Sequence, residues 1–155
     1  QLRTGIKQAL HQTNQKYDTQ DGMDMAFCVL NLETNLLSFS GAYNPLYLIR
    51  ESELVEYKAD RMPIGIHPKD TASFTATEIQ LQKNDRFYLF SDGYVSQFGG
   101  QKEEKFKSNR FKELLLKIHN QPFAEQLETL NQSISVWQGS NAQTDDMLVM
   151  GVGIE

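Results

Sequence analysis

The fold is decided by the stretch at residues 87–100, which reads FYLFSDGYVSQFGG. Its first four residues, Phe87 to Phe90, are consecutive large apolar side chains, which is typical of a buried strand. The chain then breaks at Asp92-Gly93, a dipeptide that favours turns. The pattern predicts a buried strand that ends by presenting a carboxylate at the rim of the core.

A second acidic site stands in a similar context near the end of the chain. Asp145 and Asp146 immediately precede an apolar run, Met147 to Val152, that also predicts a strand. If the two strands are neighbours, the acids converge, and carboxylates that are close together repel one another. A hard divalent cation removes this conflict, and oxygen-only ligands favour Mg²⁺ or Mn²⁺ over Zn²⁺. The alternative remains that Asp92-Gly93 is only a turn and that Asp145 only caps the last strand.

The other elements predict an α+β domain with a mostly antiparallel sheet and helices packed on it. The first helix has its periodic residues at Leu2, Ile6, Ala9, Leu10, Thr13 and Tyr17. Strands are predicted at residues 25–31, 36–40, 46–50, 54–57 and 73–81, and later helices at Ser108 or Asn109 onward and from Pro122 to Gly139. The prolines and glycine of RMPIGIHPKD, residues 61–70, exclude a regular element there.

Composition narrows the class of protein. A chain of 155 residues with a net charge of −5 is one domain in size and does not favour nucleic acid as a partner. There is no apolar run of membrane-spanning length, and Cys28 is the only cysteine, so a cytoplasmic location is expected. The Cys28 thiol lies in an apolar run and is expected to be buried and unreactive. Because helical periodicity begins at once after Gln1, we expect the chain to be the C-terminal piece of a larger protein.

Catalysis by a side-chain nucleophile is not supported. Ser91 is not part of a Gly-x-Ser-x-Gly elbow, and none of His11, His67 or His119 is an obvious partner for it. The sequence also contains no glycine-rich phosphate-binding loop.

Four segments in the same order resemble the C-terminal part of the SpoIIE-type serine phosphatases of the PPM metal-dependent family. They are LSFSGAYNPLYLIR (37–50), RMPIGI (61–66), LQKNDRFYLFSDGYVSQFGG (81–100) and TDDMLVMGV (144–152). The resemblance covers essentially the whole chain, so residues 1–155 are expected to be the C-terminal part of a single SpoIIE-type phosphatase domain. It implies a PPM-type α-β-β-α sandwich of mostly antiparallel sheets, N-terminally truncated.

The resemblance also implies a metal centre. Asp92 matches the family's Asp-Gly metal ligand, Gly93 lets the backbone pass close to the site, and Asp145 and Asp146 match the terminal acidic pair. Such enzymes are implied to hold two Mn²⁺ or Mg²⁺ ions. The ions activate a water that attacks phosphoserine or phosphothreonine directly, without a catalytic side-chain nucleophile.

Two departures from the family pattern affect this expectation. Ala42-Tyr43-Asn44-Pro45 stands where Gly-His-Asn-Pro is common, which preserves the turn chemistry. The family's first metal motif, an Asp followed by Gly-His-Gly, is absent, and Asp21 and Asp24 do not replace it; they are expected to be turn residues. The two-metal centre is therefore incomplete in this chain, and weak metal binding with little activity is expected.

Family analogy implies the wider context of a bacterial signalling protein. The expected partner is a phosphorylated regulatory protein such as an anti-sigma-factor antagonist. A sensory region is expected upstream, through which the parent protein could be membrane-attached. Uncovered sheet edges would allow a homodimer, and a non-catalytic interaction or dimerisation module is the alternative function. The charge-rich segment 101–110 either shapes substrate choice or is a solvated loop.

Overall fold

The computed structural model describes residues 1–12, 21–68 and 71–155. Its helices are α1 (Leu2–Ala9), α2 (Gly93–Ser96), α3 (Ser108–Ile118) and α4 (Phe123–Gln138). Its strands are β1 (Gly22–Met23), β2 (Met25–Asn31), β3 (Leu36–Ala42), β4 (Leu46–Arg50), β5 (Glu53–Tyr57), β6 (Ile64–Gly65), β7 (Thr77–Gln80), β8 (Arg86–Phe90), β9 (Phe98–Gly99), β10 (Glu104–Lys105) and β11 (Val149–Gly153). They form two compact units, residues 1–46 with 57–81 and residues 47–56 with 82–155. No helix in the described residues has the length and apolar character needed to cross a bilayer.

The first unit is built on an antiparallel sheet in the order β2-β3-β7. Strand β3 lies in the middle, and its Leu37 and Phe39 are almost fully buried. The β2–β3 hairpin turns where predicted because the Asn31 side chain accepts hydrogen bonds from the backbone N–H groups of Glu33 and Thr34, at 2.9 and 3.1 Å. Asn35 completes the turn with a φ of 53°, a conformation that asparagine tolerates.

Strand β2 is an edge of this sheet in the described part of the chain, and one of its faces is exposed. Phe27 and Val29 are 53% and 54% exposed. Cys28 between them is half-buried rather than fully buried, so that part of the prediction was wrong. An edge strand has a neighbour on one side only, and the periodicity of β2 cannot distinguish it from a central strand.

The second unit holds a four-stranded sheet in the order β11-β8-β4-β5, with β8 and β11 antiparallel. Aromatic rings fill the space between this sheet and its helices. Phe90 lies with its ring centroid 4.7 Å from that of Tyr47 and 4.9 Å from that of Phe111, and Tyr94 lies 4.8 Å from Phe111. Burial of these large rings stabilises the unit.

The two long helices of this unit follow the predicted pattern. Helix α3 buries Phe111, Leu115 and Ile118 at helical spacing. Helix α4 starts directly after Pro122, which is its N-cap, and ends at Gly139, whose φ of 58° suits a helix C-cap. The mixture of helices and antiparallel strands confirms the predicted α+β class.

Several boundaries differ from the prediction. Helix α1 ends at Ala9, and its expected periodic residues Thr13 and Tyr17 lie outside the described residues. The predicted strand at 73–81 shortens to β7, and the last strand starts at Val149 rather than at Met147. Before Val149, a backbone hydrogen bond joins Ser91 to Leu148, and the Ser91 side chain bonds the backbone of Asp146 and Leu148.

Short elements were missed. Residues Ile64–Gly65 form β6, which pairs with β1, although the prolines of RMPIGIHPKD were expected to exclude any regular element. Helix α2 and the β9–β10 hairpin also went unpredicted. Elements of two to four residues are too short to show a hydrophobic period, so sequence patterning cannot reveal them.

Candidate metal centre

Pairing of β8 with β11 brings the two acidic sites to the same end of the sheet. Phe90 is opposite Val149 in the register, and beyond this pair the N–H of Ser91 donates to the carbonyl of Leu148 at 3.1 Å. Asp92 follows the end of β8, and Asp145 and Asp146 precede the start of β11. Strands β8 and β11 are therefore neighbours, which was the condition for the acids to converge.

The Ser91 side chain fixes this junction. Its hydroxyl donates to the carbonyl of Asp146 at 2.7 Å and accepts from the N–H of Leu148 at 2.9 Å. A single hydroxyl thus holds the backbone on both sides of Met147, in a segment that has left the regular ladder. From the sequence, Ser91 was considered only as a nucleophile, and no local pattern indicated this positioning role.

Gly93 is packed directly against the acidic pair. A Cβ atom at this position would collide with the carbonyl group of Asp146 and approach the backbone of Asp145. Only glycine permits such a close approach of two backbones. The structure therefore gives a steric reason for the Asp-Gly dipeptide that does not depend on turn propensity.

Tyr94 anchors the segment that follows Asp92 to helix α4. Its side chain is 3% exposed, and its hydroxyl donates to the carbonyl of Leu130 on α4 at 2.8 Å. Burial raises the pKa of Tyr94 to about 12, so the hydroxyl keeps its proton at neutral pH. Asp92, two residues earlier, is the N-cap of α2, and its carbonyl accepts from the N–H of Ser96 at 2.8 Å.

The carboxylates themselves face solvent. Asp92, Asp145 and Asp146 are all exposed. The Asp92 side chain accepts only a long 3.4 Å bond from Ser96, and one oxygen of Asp145 accepts from the N–H of Asp146 at 2.7 Å. The acids thus stand on a rigid support with carboxylate oxygens directed away from the core.

The oxygen donors of Asp92, Asp145 and Asp146 are of the type that a hard divalent cation binds, but they are too few to complete its coordination. Carboxylate and carbonyl oxygens are the ligands that Mg²⁺ and Mn²⁺ prefer. However, in residues 1–12, 21–68 and 71–155 no group of three or more His, Cys, Asp or Glu side chains is arranged to hold a metal ion. Since such ions take about six ligands, the described residues can supply only part of a centre.

The other residues considered from the sequence do not join this site. Asp21 and Asp24 flank β1 in the first unit. His119 is the C-cap of α3; its Nδ1 lies 2.6 Å from the carbonyl of Leu116 and its Nε2 lies 3.3 Å from the Ser52 hydroxyl. Both ring nitrogens of His119 are therefore used in hydrogen bonds, and the bond of Nε2 to Ser52 ties the end of α3 to the turn between β4 and β5.

The charge-rich segment 101–110 contains ion pairs and a short strand, β10, that pairs with β9. Glu104, in β10, pairs with Lys107 at 2.5 Å and with Arg110 at 2.6 Å. Hydrogen bonds from Lys107 first, and then from Arg110, lower the pKa of Glu104 to about 2. These ion pairs connect β10 to the start of α3.

The sequence matches the family model for stage II sporulation protein E (SpoIIE) over residues 2–155. No curated protein matches the sequence significantly.

Solved structures with the same fold include the SiaA-PP2C domain of Pseudomonas aeruginosa, with a TM-score of 0.84, 27% sequence identity and 99% of this chain covered. The phosphatase domain of the cell fate determinant SpoIIE from Bacillus subtilis, in a manganese-presoaked crystal, has a TM-score of 0.64 at 20% identity over 99% of this chain. PppA, a regulatory component of T6SS in Pseudomonas aeruginosa, has a TM-score of 0.64 at 15% identity over 98% of this chain. The chain spans 59%, 64% and 66% of the length of these three structures, respectively. The similarity confirms the predicted PPM-type fold.

Proposed function

The chain belongs to the SpoIIE family, and from this premise we propose that it is the C-terminal part of a metal-dependent protein serine/threonine phosphatase domain. The substrate would be phosphoserine or phosphothreonine on a regulatory protein, such as an anti-sigma-factor antagonist in bacterial signalling. The parent protein would act in the cytoplasm under the control of an upstream sensory region.

The proposal rests on one observation. Asp92 is held beside Asp145 and Asp146 by the pairing of β8 with β11, by the hydrogen bonds of Ser91 and by the close backbone packing that Gly93 permits. A structural turn needs none of these devices. The ligands of a metal centre must be accessible to the ion and must be held in position by neighbouring residues.

Within the proposed centre, Asp92 and Asp145 would hold Mn²⁺ or Mg²⁺ through their carboxylate oxygens, and Asp146 is the second member of the terminal acidic pair. When bound, the cation would supply Lewis-acid activation of water for attack on the phosphorus. Ser91 and Tyr94 would keep the acidic segments in place. Further ligands are proposed to come from outside the described residues, since these residues alone do not supply a cluster of three.

The experiment is hydrolysis of p-nitrophenyl phosphate and of a phosphoserine peptide by the full-length protein, with Mn²⁺ and with EDTA. Turnover is expected with Mn²⁺ only, and it should be lost in Asp145→Asn. Asp21→Asn is the matched control, because Asp21 is also an exposed aspartate but lies in the first unit. Equal activity of Asp145→Asn and Asp21→Asn would contradict the proposal.

A second candidate is a non-catalytic interaction or dimerisation module that keeps the phosphatase fold. It is favoured by the incomplete donor set and by the exposed apolar side chains of Phe27 and Val29 on β2. This candidate predicts a full-length protein without metal-dependent turnover whose self-association is weakened by Phe27→Ser. A monomeric protein with Mn²⁺-dependent turnover would exclude it.

A further inference from the structure

Gln97 is a polar side chain at the centre of the second unit with no part in the chemistry described so far. It is 0% exposed, five positions beyond Asp92, and directly follows α2. A buried amide is costly unless its donor and its acceptor are both satisfied. The partners of Gln97 therefore indicate what the residue does.

Those partners belong to the loop that carries the acidic pair. The Gln97 Nε2 donates to the carbonyl of Ala142 at 2.9 Å, and its Oε1 accepts from the N–H of Thr144 at 3.3 Å. Nε2 also donates to the carbonyl of Phe98 at 3.0 Å. Residues 142–146 are all exposed, so this loop has little packing of its own and depends on such bonds for its position.

Gln97 is itself held firmly. Its carbonyl accepts from the N–H of Phe106 at 2.9 Å and from the indole Nε1 of Trp137 at 3.2 Å. Bonds from two separate elements fix its backbone, and burial restricts its side chain to a single arrangement. A rigid donor and acceptor can impose a geometry on an exposed loop, whereas a mobile one cannot.

The acidic pair is consequently held from both sides. Ser91 holds Asp146 and Leu148 on the β11 side, and Gln97 holds Ala142 and Thr144 on the side of α4. Both holding residues flank the segment Asp92–Ser96. The backbone before and after the acidic pair is therefore hydrogen-bonded to residues on either side of Asp92–Ser96.

We infer that Gln97 is a positioning residue of the proposed metal centre, which fixes the loop 142–146 so that Asp145 can bind the same ion as Asp92. This inference rests on the proposed function. Gln97 acts on Asp145 through the backbone of the preceding residue, Thr144. Removing residues that orient metal ligands typically changes metal affinity by about 10- to 100-fold.

The test compares Gln97→Met with Gln126→Met in the full-length protein. Gln126 is a matched control because it is also a buried glutamine, 2% exposed, in the same unit. In the described residues its amide forms hydrogen bonds with Tyr88, Gln121 and His119, and these bonds do not involve residues 142–146. Both variants lose a buried amide of similar size, so a general effect on folding should appear in both.

Mn²⁺ alone is the probe, titrated by calorimetry. We expect Gln97→Met to bind Mn²⁺ about 10- to 100-fold more weakly than the wild type, and Gln126→Met to bind with unchanged affinity. Equal affinities in the two variants would overturn the inference while leaving the proposed function intact. A wild-type protein that binds no Mn²⁺ would overturn both.

Hydrogen exchange gives a second readout that needs no metal. The N–H of Thr144 belongs to an exposed residue, yet Gln97 accepts its hydrogen bond. Its exchange is expected to be slowed in the wild type and faster in Gln97→Met, with no change in Gln126→Met. Exchange in the wild type at the rate of a free peptide would overturn the inference, even if Gln97→Met failed to fold.

Discussion

The hydroxyl of Ser91 donates a 2.7 Å hydrogen bond to the backbone carbonyl of Asp146, a residue 55 positions later in the chain. This bond joins the residue before Asp92 to the acidic pair itself. It lies just beyond the last regular pair of β8 and β11, Phe90 with Val149. The two acidic segments are therefore held by rigid strands on one side and by a specific side chain at the point where the strands end.

Replacing Ser91 by Ala tests that junction. The variant loses the bonds to Asp146 and Leu148, and we expect the free energy of unfolding to fall by about 1–2 kcal/mol. Urea denaturation measures the change, with Ser135→Ala on the exposed face of α4 as the control. If both variants are as stable as the wild type, the Ser91 bonds do not support the site.

Adding a methyl group at Gly93 tests the close approach of the backbones. In Gly93→Ala the new Cβ meets the Asp146 carbonyl, and overpacking of this kind costs about 1–3 kcal/mol. Gly5→Ala is the matched control, because a Cβ at that helical position has no atom within 4 Å. There alanine should stabilise α1 slightly. Thermal unfolding of both variants should show opposite shifts, and a neutral Gly93→Ala would be evidence against the packing described.

The pairing of Glu104 predicts a dependence of stability on acid pH. Its hydrogen bonds with Lys107 and Arg110 lower its pKa from about 4.5 to about 2 in the folded state. Because the folded pKa lies below the unfolded one, the stabilisation is fully present above pH 4.5 and disappears as the pH falls through about 2. Unfolding midpoints in urea between pH 5 and pH 2 should therefore fall more steeply in the wild type than in Glu104→Gln.

The neighbouring Glu103→Gln is the control for that titration, since Glu103 is an exposed acid in the same segment. It should retain the steep loss of stability that Glu104→Gln lacks. Identical pH profiles for all three proteins would contradict the role of the Glu104 pair.

Cys28 should react slowly with thiol reagents in the folded protein. Burial raises its pKa from 9.0 to about 11. Since the thiolate is the reactive form, alkylation by iodoacetamide at pH 8 should be roughly 100-fold slower than in the urea-unfolded chain. Equal rates in the two states would show that the thiol is not shielded as the structure indicates.

The long helices and the buried strand β8 could be predicted from the sequence because their apolar residues follow a regular pattern. Phe111, Leu115 and Ile118 repeat with the helical period because they bury one face of α3. Phe87 to Phe90 are continuously apolar because β8 lies inside the four-stranded sheet. Patterns of this length reflect burial directly, which is why the α+β class and the strand before Asp92 were predicted correctly.

The support of the site could not be predicted in the same way. The partners of Ser91 and Gln97 in residues 142–148 lie 45 or more positions away along the chain, and no local sequence pattern indicates a side chain that bonds to a distant backbone. Gln97 offered one weak signal, as a polar residue in an aromatic and glycine-rich stretch. Only the strand register, which brings residues 91–97 beside residues 142–148, reveals why an amide is buried there.

The central claim, that the acids at the ends of β8 and β11 are metal ligands, is tested most directly by Mn²⁺ titration calorimetry on the full-length protein. Wild type, Asp92→Asn and the Asp21→Asn control would be compared, together with the isolated chain of residues 1–155. The account predicts that wild type and Asp21→Asn bind Mn²⁺, that Asp92→Asn does not, and that the isolated chain binds weakly. If Asp92→Asn binds Mn²⁺ as tightly as the wild type, Asp92 is a turn residue and the assignment of the metal centre is wrong.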